Sequence, residues 1–209
     1  SSGNVGIGTT SPSTNLHVHT DANGEGILIK STGNTSNALT FDANRGTDGV
    51  IGVAYGRWNG TTVAQINFVS GSDGTNKDDG HITFGTESAA SSGNVNATER
   101  MRIDSSGKVG IGTTTIGNKL QVHEASSNAS FVGFSNDTTG SSSSDGLIVG
   151  VDSDENGVLY HYENKAIRFA TNNSERMRID SGGRLLLGTT SYKSNLNASA
   201  DSSGQIAQF

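Results

Sequence analysis

Apolar and polar residues alternate with a period of two over short segments of this chain. Ile82 and Phe84 flank Thr83, and Met101 and Ile103 alternate with arginines. Such alternation is typical of strands that are buried on one face. No stretch has the spacing of an amphipathic helix. The pattern therefore predicts an all-β protein.

Pairs of turn-forming residues separate these segments. Asn-Gly and Asp-Gly pairs favour tight β-hairpin turns, because both residues tolerate positive φ. The pairs are Asp48-Gly49, Asn59-Gly60, Asp73-Gly74 and Asn156-Gly157. The predicted fold class is therefore all-β, built from repetitive short antiparallel strands and hairpins.

Several phrases recur along the chain in a fixed order. The phrase GNVGIGTT at residues 3–10 returns as GKVGIGTT at 107–114 and as GRLLLGTT at 183–190. The last two copies follow ERMRIDSSG at 99–107 and ERMRIDSGG at 175–183. Self-similarity of this kind indicates a stack of small β-units rather than one large core.

The repeats predict the domain organisation. NLHVH at 15–19 matches KLQVH at 119–123, and NLNAS at 195–199 begins a further copy. We expect the end of a preceding repeat at 1–10, a first unit at 11–114, a second at 115–190, and the start of a third at 191–209. The extra length of the first unit lies at about 57–80, which we expect to form inserted surface loops.

One substitution within the repeats separates two kinds of glycine. Leu186 stands where the other copies have Gly6 and Gly110, and leucine does not accept positive φ. Those two glycines are therefore expected to mark a narrow space. A second set is glycine in all three copies and is expected where two backbones approach closely: Gly8, Gly112 and Gly188.

Composition narrows the functional classes. The 209 residues include 29 Gly, 29 Ser, 22 Thr and 20 Asn, so close to half of the chain favours turns, strands and close contacts. There is no cysteine, which excludes disulfides and thiolate metal sites. The net charge of −6 argues against binding to nucleic acid, and no apolar run is long enough for membrane insertion as a helix.

The recurring phrases carry a family resemblance. The string ERMRIDSSGKVGIGTT at 99–114, followed by a short turn and Leu-x-Val at 120–122, resembles repeats in the tail fibres of tailed bacteriophages. In that family such repeats often precede a self-cleaving C-terminal chaperone domain. The resemblance implies an elongated, intertwined homotrimeric fibre in the virion tail, made in the host cytoplasm and then extracellular. Its implied partners are its own copies, other tail proteins, and a bacterial surface glycan or protein receptor.

Two alternatives to a structural fibre segment stay open. The repeats could be the scaffold of a polysaccharide-cleaving tailspike, or part of a bacterial trimeric surface adhesin. No catalytic motif is present: the chain has no G-x-S-x-G, no H-E-x-x-H and no P-loop. We therefore expect no enzyme activity and no cofactor.

An acidic segment matches a calcium-loop pattern. Asp152, Asp154, Asn156 and Glu163 have the spacing at which oxygen ligands wrap Ca²⁺, with Gly157 at the turn. The flanking segments have the pattern of strands, however, whereas an EF-hand needs helices. The alternative interpretation is a polar hairpin turn at Asn156-Gly157.

Two histidines form a second candidate metal site. His17 and His19 are two residues apart and would project from one face of a strand. Three copies around an axis could offer six imidazoles to a transition metal. The alternative is an ordinary polar strand face, because Gln121 replaces His17 in the second unit.

The remaining charged and aromatic residues suggest scaffold and receptor contacts. Arg100, Arg102, Arg176 and Arg178 lie beside Glu99 and Glu175, a pattern that favours salt bridges between neighbouring strands or chains over an anion site. Exposed aromatic rings beside polar residues are typical of sugar-binding surfaces. The candidate receptor or glycan contacts are Tyr55, Arg57, Trp58, Asn59, Tyr160 and Tyr162. The alternative places these rings in the core or on their own hairpin.

Overall fold

The computed structural model describes residues 3–21, 27–33, 36–45, 48–89 and 97–191. These residues form fourteen strands and no helix, which confirms the all-β prediction. No helix long and apolar enough to cross a bilayer occurs among them. The predicted third copy at 195–199, and with it nearly all of the segment 191–209, lies outside the described residues.

Two short strands near the start of the chain form a separate pair. Strands β1 (Val5–Ile7) and β2 (Leu16–Val18) run parallel, with Val5 opposite Leu16. The prediction of antiparallel strands is wrong for this pair. The chain returns to the same end of the pair through a connection of only eight residues.

The next six strands form one sheet in chain order. Five antiparallel strands are followed by a sixth that pairs in parallel with the fifth. The strands are β3 (Gly49–Trp58), β4 (Thr61–Ser70), β5 (Gly80–Thr86), β6 (Thr98–Ile103), β7 (Val109–Ile111) and β8 (Leu120–Val122). The sheet thus continues across the predicted unit boundary between residues 114 and 115.

Two three-stranded antiparallel sheets follow. The first has the order β11-β10-β9 and the second the order β12-β13-β14. Their strands are β9 (Ser130–Phe134), β10 (Leu147–Val151), β11 (Gly157–His161), β12 (Ile167–Thr171), β13 (Ser174–Ile179) and β14 (Leu185–Leu187).

The sequence repeats form the same structure wherever they are described. Met101 lies opposite Ile111 between β6 and β7, and Met177 lies opposite Leu187 between β13 and β14. The parallel pair β7–β8 likewise has the register of β1–β2. Equal phrases therefore specify equal pairing, including which residues face each other across the strands.

A β-bulge recurs at the same place in both ERMRID strands. The register shifts between Phe84 and Gly85 opposite β6, and between Phe169 and Ala170 opposite β13. In a regular strand, residues three apart face opposite sides, but an extra residue brings them to the same side. The bulge thereby places Glu99 beside Arg102, at 2.6 Å. The salt bridges predicted between neighbouring strands or chains instead lie within one strand.

The region at 57–80 differs from its prediction as inserted surface loops. It contains the whole of β4, an interior strand of the six-stranded sheet. The preceding turn is the predicted hairpin: Asn59 and Gly60 have φ of 48° and 86°. The hairpin predicted at Asn156-Gly157 forms with a longer loop: residues 152–156 join β10 to β11, Glu155 takes the positive φ of 67°, and Gly157 already begins β11.

The two classes of glycine behave differently. A Cβ on Gly110 would lie 2.7 Å from the Thr113 carbonyl oxygen, so this glycine marks a narrow space, as predicted. A Cβ on Gly112 would lie 2.1 Å from the carbonyl oxygen of His123, which confirms the close backbone approach. Gly112 also has a φ of 73°, a conformation that is not evident from its agreement among the repeats.

Candidate functional site

One face of the six-stranded sheet is apolar across every strand. Directly paired residues share a face, so the register defines two rows. The first row is Ala54, Ile66, Phe84, Met101, Ile111 and Val122, and the second is Gly52, Phe68, Ile82, Ile103, Val109 and Leu120. We call these the apolar rows. Ile111 is 41% exposed and Leu120 is 58% exposed.

Among the described residues, a ring stacks on the apolar rows near the β3 edge. There the ring of Phe41 stacks on Phe68 with centroids 5.5 Å apart. Gly52 makes room for that ring, since a Cβ at this position would lie 2.3 Å from it. At the β8 end of the described chain, Leu120 and Val122 line an open cavity together with Val132 and Val149, and Leu120 is still 58% exposed.

The opposite, polar face of the same sheet is covered by the chain itself. Thr83 is 3% exposed, and its Oγ1 accepts a hydrogen bond of 2.9 Å from the Asn67 side chain. Gln65 is also buried, and its Oε1 accepts a hydrogen bond from the backbone N–H of Ala97. Ile116 packs over the bare backbone of Gly110. The sheet is therefore inverted relative to a water-soluble monomer, with its polar side buried and its apolar side open.

The second unit repeats the open apolar face. In the β12–β14 sheet, Phe169, Met177 and Leu187 lie opposite each other, and Leu187 is 63% exposed. In the β9–β11 sheet a further cross-strand row is exposed in all three strands: Val132, Val149 and Leu159. Among the described apolar residues, only Ala97, Ile116 and Leu186 are buried. The alternation behind these rows is visible in the sequence, but which residues lie side by side depends on the strand register.

The aromatic residues of the first unit lie at the tip of the β3–β4 hairpin. Trp58 is 75% exposed, next to the Asn59 turn. The Arg57 guanidinium lies over the Tyr55 ring, 4.7 Å from its centroid, in a cation–π contact. The alternative that Trp58 packs on its own hairpin does not agree with this exposure. The tip presents an indole face, a guanidinium and an amide to solvent.

The second aromatic pair lies on the β11 strand and just after it. Tyr160 and Tyr162 have ring centroids 4.7 Å apart and are both exposed. Tyr160 lies opposite Ile148, on the face away from the row of Val149. The alternative that these tyrosines fill a core does not agree with their exposure in this chain.

The calcium-loop residues are not brought together. Asp152 accepts hydrogen bonds from the backbone N–H groups of Asp154 (3.0 Å) and Asn156 (2.8 Å), so its carboxylate organises the hairpin loop. The Asn156 side chain also bonds this carboxylate and holds its pKa below the usual range. Glu163 lies near the other end of the hairpin, where it accepts a bond of 2.7 Å from the Gly146 N–H.

The distance between the two carboxylates follows from the register. Four residues of β10 separate the loop end from the end where Leu147 faces His161, which is roughly 13 Å of strand. His161 Nε2 lies 3.1 Å from the Glu163 carboxylate. No group of three His, Asp or Glu side chains suited to a metal occurs within the described ranges. The contacts at Asp152 are those of a polar hairpin, and calcium binding stays a prediction.

The candidate histidine site has a structural explanation in the repeat. His17 Nδ1 accepts a hydrogen bond of 3.3 Å from the Ser13 N–H, and Gln121 Oε1 accepts one of 2.8 Å from the Gly117 N–H. Both side chains therefore brace the connection between two parallel strands. His19 lies nearby, with its ring 6.2 Å from that of His17. Metal binding by this pair stays a prediction as well.

The arginine pairs also make repeated contacts. Arg102 and Arg178 bind Glu99 and Glu175 in the same way, and hydrogen bonding to the glutamate raises the pKa of each arginine. Arg100 Nε donates to the Thr86 hydroxyl at 3.2 Å. Arg176 makes the equivalent bond to Thr171 at 3.1 Å. These contacts support the scaffold interpretation of the arginines.

No protein-family model matches the chain, and no curated protein matches it.

Proposed function

We propose that this chain is a structural segment of a phage-type tail fibre, which assembles as a homotrimer and takes part in attachment to the host surface. The observation that carries the proposal is the inverted six-stranded sheet. Its polar face is buried by the chain's own Ala97 and Ile116, while Ile111 and Leu120 on the apolar face are open to solvent. A second protein surface with a matching apolar face would remove these residues from water.

A closed symmetric oligomer suits this surface better than an open one. Several open faces recur in the two units, and copies of the same chain offer matching faces in the same order. Burying a large apolar side chain contributes roughly 1.5–3 kcal/mol, so association of the apolar rows supplies the core that the single chain lacks. The resemblance of the repeats to phage tail fibres favours three copies around a common axis.

The proposed role is mechanical and adhesive, with no catalytic step. Strands of three chains around one axis form a stiff rod, which carries loops and hairpin tips on its outside. In a virion tail this segment would join other tail proteins and be displayed outside the cell. The repeated bulges, and the turns held by aspartate side chains, keep each unit in the same conformation along the rod.

The hairpin tip is the proposed receptor contact. Trp58 and the stacked pair Tyr55–Arg57 offer a flat apolar ring beside hydrogen-bond donors. A pyranose has an apolar face and a rim of hydroxyls, so it suits such a surface. The proposed partner is therefore a bacterial surface glycan, with Asn59 available to bind a hydroxyl. Tyr160 and Tyr162 form a second candidate contact of the same kind.

Two single substitutions test assembly and attachment separately. Ile111→Asp places a charge in an apolar row and should lower the oligomer mass. Trp58→Ala should leave the mass unchanged but abolish binding to host polysaccharide, measured on an array of bacterial surface glycans. Each variant is the control for the other. Release of new reducing ends from the polysaccharide by the unaltered protein would contradict the non-enzymatic role.

A further inference from the structure

Two of the three strands in the GxxxxGTT phrases have an antiparallel neighbour. Strand β7 pairs with β6, and β14 pairs with β13, in the same register. In each pair, one further backbone hydrogen bond forms just after the end of the GxxxxGTT strand. The Gly112 N–H donates to the Arg100 carbonyl at 2.9 Å, and the Gly188 N–H donates to the Arg176 carbonyl at 2.9 Å.

Strand β1 has the same sequence pattern, but no strand within the described ranges lies at the corresponding edge. Its other edge is paired with β2 as β7 is paired with β8. Gly8 has a φ of 72°, like the 73° of Gly112, so its N–H is held in the same backbone conformation. No described residue pairs with the free edge of β1 or accepts a hydrogen bond from the Gly8 N–H.

The apolar side chains of β1 are correspondingly open. Val5 and Ile7 are each 56% exposed, whereas Ile111 in the paired copy is 41% exposed. An unpaired edge with apolar side chains is a template for a further strand. In the two copies that have this neighbour, β7 and β14, the strand at the corresponding edge is β6 or β13. These pairs indicate which kind of strand fits the edge of β1.

We propose that the free edge of β1 binds an extended segment with the sequence pattern of β6 and β13, supplied by a further repeat of the same kind. By the register of the complete copies, the methionine of the incoming strand lies opposite Ile7 and its isoleucine opposite Val5. The Gly8 N–H then donates to the carbonyl of the first arginine.

The strands β6 and β13 of a second copy do not meet this requirement. Strand β6 lies between β5 and β7, and β13 lies between β12 and β14, so both edges of each are occupied. The occupant is therefore a strand that has no other partner. Its recognition is by backbone hydrogen bonds and the apolar pair at Val5 and Ile7, not by a pocket.

A synthetic peptide with the sequence TERMRIDSSG, that of residues 98–107, tests this proposal on the full chain. We expect saturable binding of one peptide per chain, and at least about tenfold slower hydrogen exchange of the Gly8 amide, since a tenfold change corresponds to about 1.4 kcal/mol. The control peptide carries aspartate in place of its methionine and isoleucine and should neither bind nor protect Gly8.

Two variants locate the binding edge. Ile7→Asp should weaken peptide binding by about tenfold or more, whereas Leu16→Asp, equally exposed but on β2, should change it by less than about twofold. Three results would overturn the proposal: no protection of Gly8 at about 1 mM peptide, equal protection by the control peptide, or full protection before any peptide is added. The last result would mean that another copy already covers the edge. Peptide binding does not depend on oligomer mass, so its failure is distinct from failure of the trimer.

Discussion

Arg102 donates hydrogen bonds to both carboxylate oxygens of Glu99, at 2.6 and 2.8 Å, from three positions further along the same strand. Only the bulge between these residues allows this contact, because it places both side chains on one face. The same pair recurs as Glu175 and Arg178. The clamp therefore belongs to the repeat and fixes the position of its bulge.

Loss of the clamp should destabilise the first unit modestly. Glu99→Gln removes the charge and one of two charge-assisted bonds, and we expect a loss of about 1 kcal/mol in the free energy of unfolding. Urea unfolding followed by circular dichroism measures the change. Glu155→Gln, on an exposed loop, is the control and should leave the unfolding midpoint unchanged.

Alanine substitutions at two glycines separate two contributions to the free energy of unfolding: the cost of a positive φ, and the cost of a Cβ placed against a neighbouring backbone. Gly107 and Gly112 have φ of 70° and 73°, but only Gly112 has a backbone atom, the His123 carbonyl oxygen, close to its missing Cβ. Gly107→Ala should cost about 1–2 kcal/mol. Gly112→Ala should cost roughly 1–3 kcal/mol more, because β7 and β8 must move apart. Equal unfolding midpoints for the two variants would contradict this account of the parallel pair.

Acid should weaken the turns that follow the ERMRID strands. The Asp104 carboxylate accepts the Lys108 and Ser106 N–H groups, and these bonds lower its pKa. In the second unit, bonds from the Arg184 side chain and backbone lower the pKa of Asp180. A lowered pKa means that the folded state favours the ionised form. The stabilisation is therefore complete above the ordinary carboxyl range near pH 4 and is lost as pH falls through the lowered values.

The test of this pH dependence uses a double variant. Asp104→Asn with Asp180→Asn should lower stability at neutral pH and flatten its decline between about pH 5 and pH 2. Urea midpoints across that range measure the slope. Asp137→Asn, on an exposed turn, is the matched substitution and should keep the original slope. An unchanged slope in the double variant would show that other carboxylates carry the acid sensitivity.

His17 should be replaceable by the residue that performs its role in the second unit. Gln121 braces its connection through Oε1 as His17 does through Nδ1. His17→Gln should therefore change the free energy of unfolding by less than about 0.5 kcal/mol. His17→Ala removes the acceptor and should cost about 1 kcal/mol. A fall in stability on chelation of metals in the unaltered protein, absent from His17→Gln, would instead support a metal at the histidines.

The sequence was sufficient for the elements that rest on local patterns. Alternation at Ile82 and Phe84 predicted a strand, and Asn59-Gly60 correctly predicted the hairpin between β3 and β4. Parallel pairing of β7 with β8 was not predictable in the same way, since parallel strands ordinarily need a longer crossover than eight residues. Here a positive φ at Gly112 and the contact with the His123 backbone replace that crossover.

The candidate sites were less predictable because they depend on contacts between distant residues. The spacing of Asp152 and Glu163 fits a metal loop, but the β10–β11 register carries them to opposite ends of a hairpin. The arginines gave no signal of the bulge, which depends on how β6 pairs with β5. The most important surface, the apolar rows, becomes visible only when the register joins Ile66, Met101 and Ile111 across strands.

The mass of the unaltered chain in solution tests the central claim most directly. Sedimentation equilibrium at several concentrations should give one species of about three times the 21.5 kDa of a single chain, because the proposed trimer buries the apolar rows against matching copies. A single species of 21.5 kDa at every concentration would contradict the trimeric assembly and with it the proposed fibre.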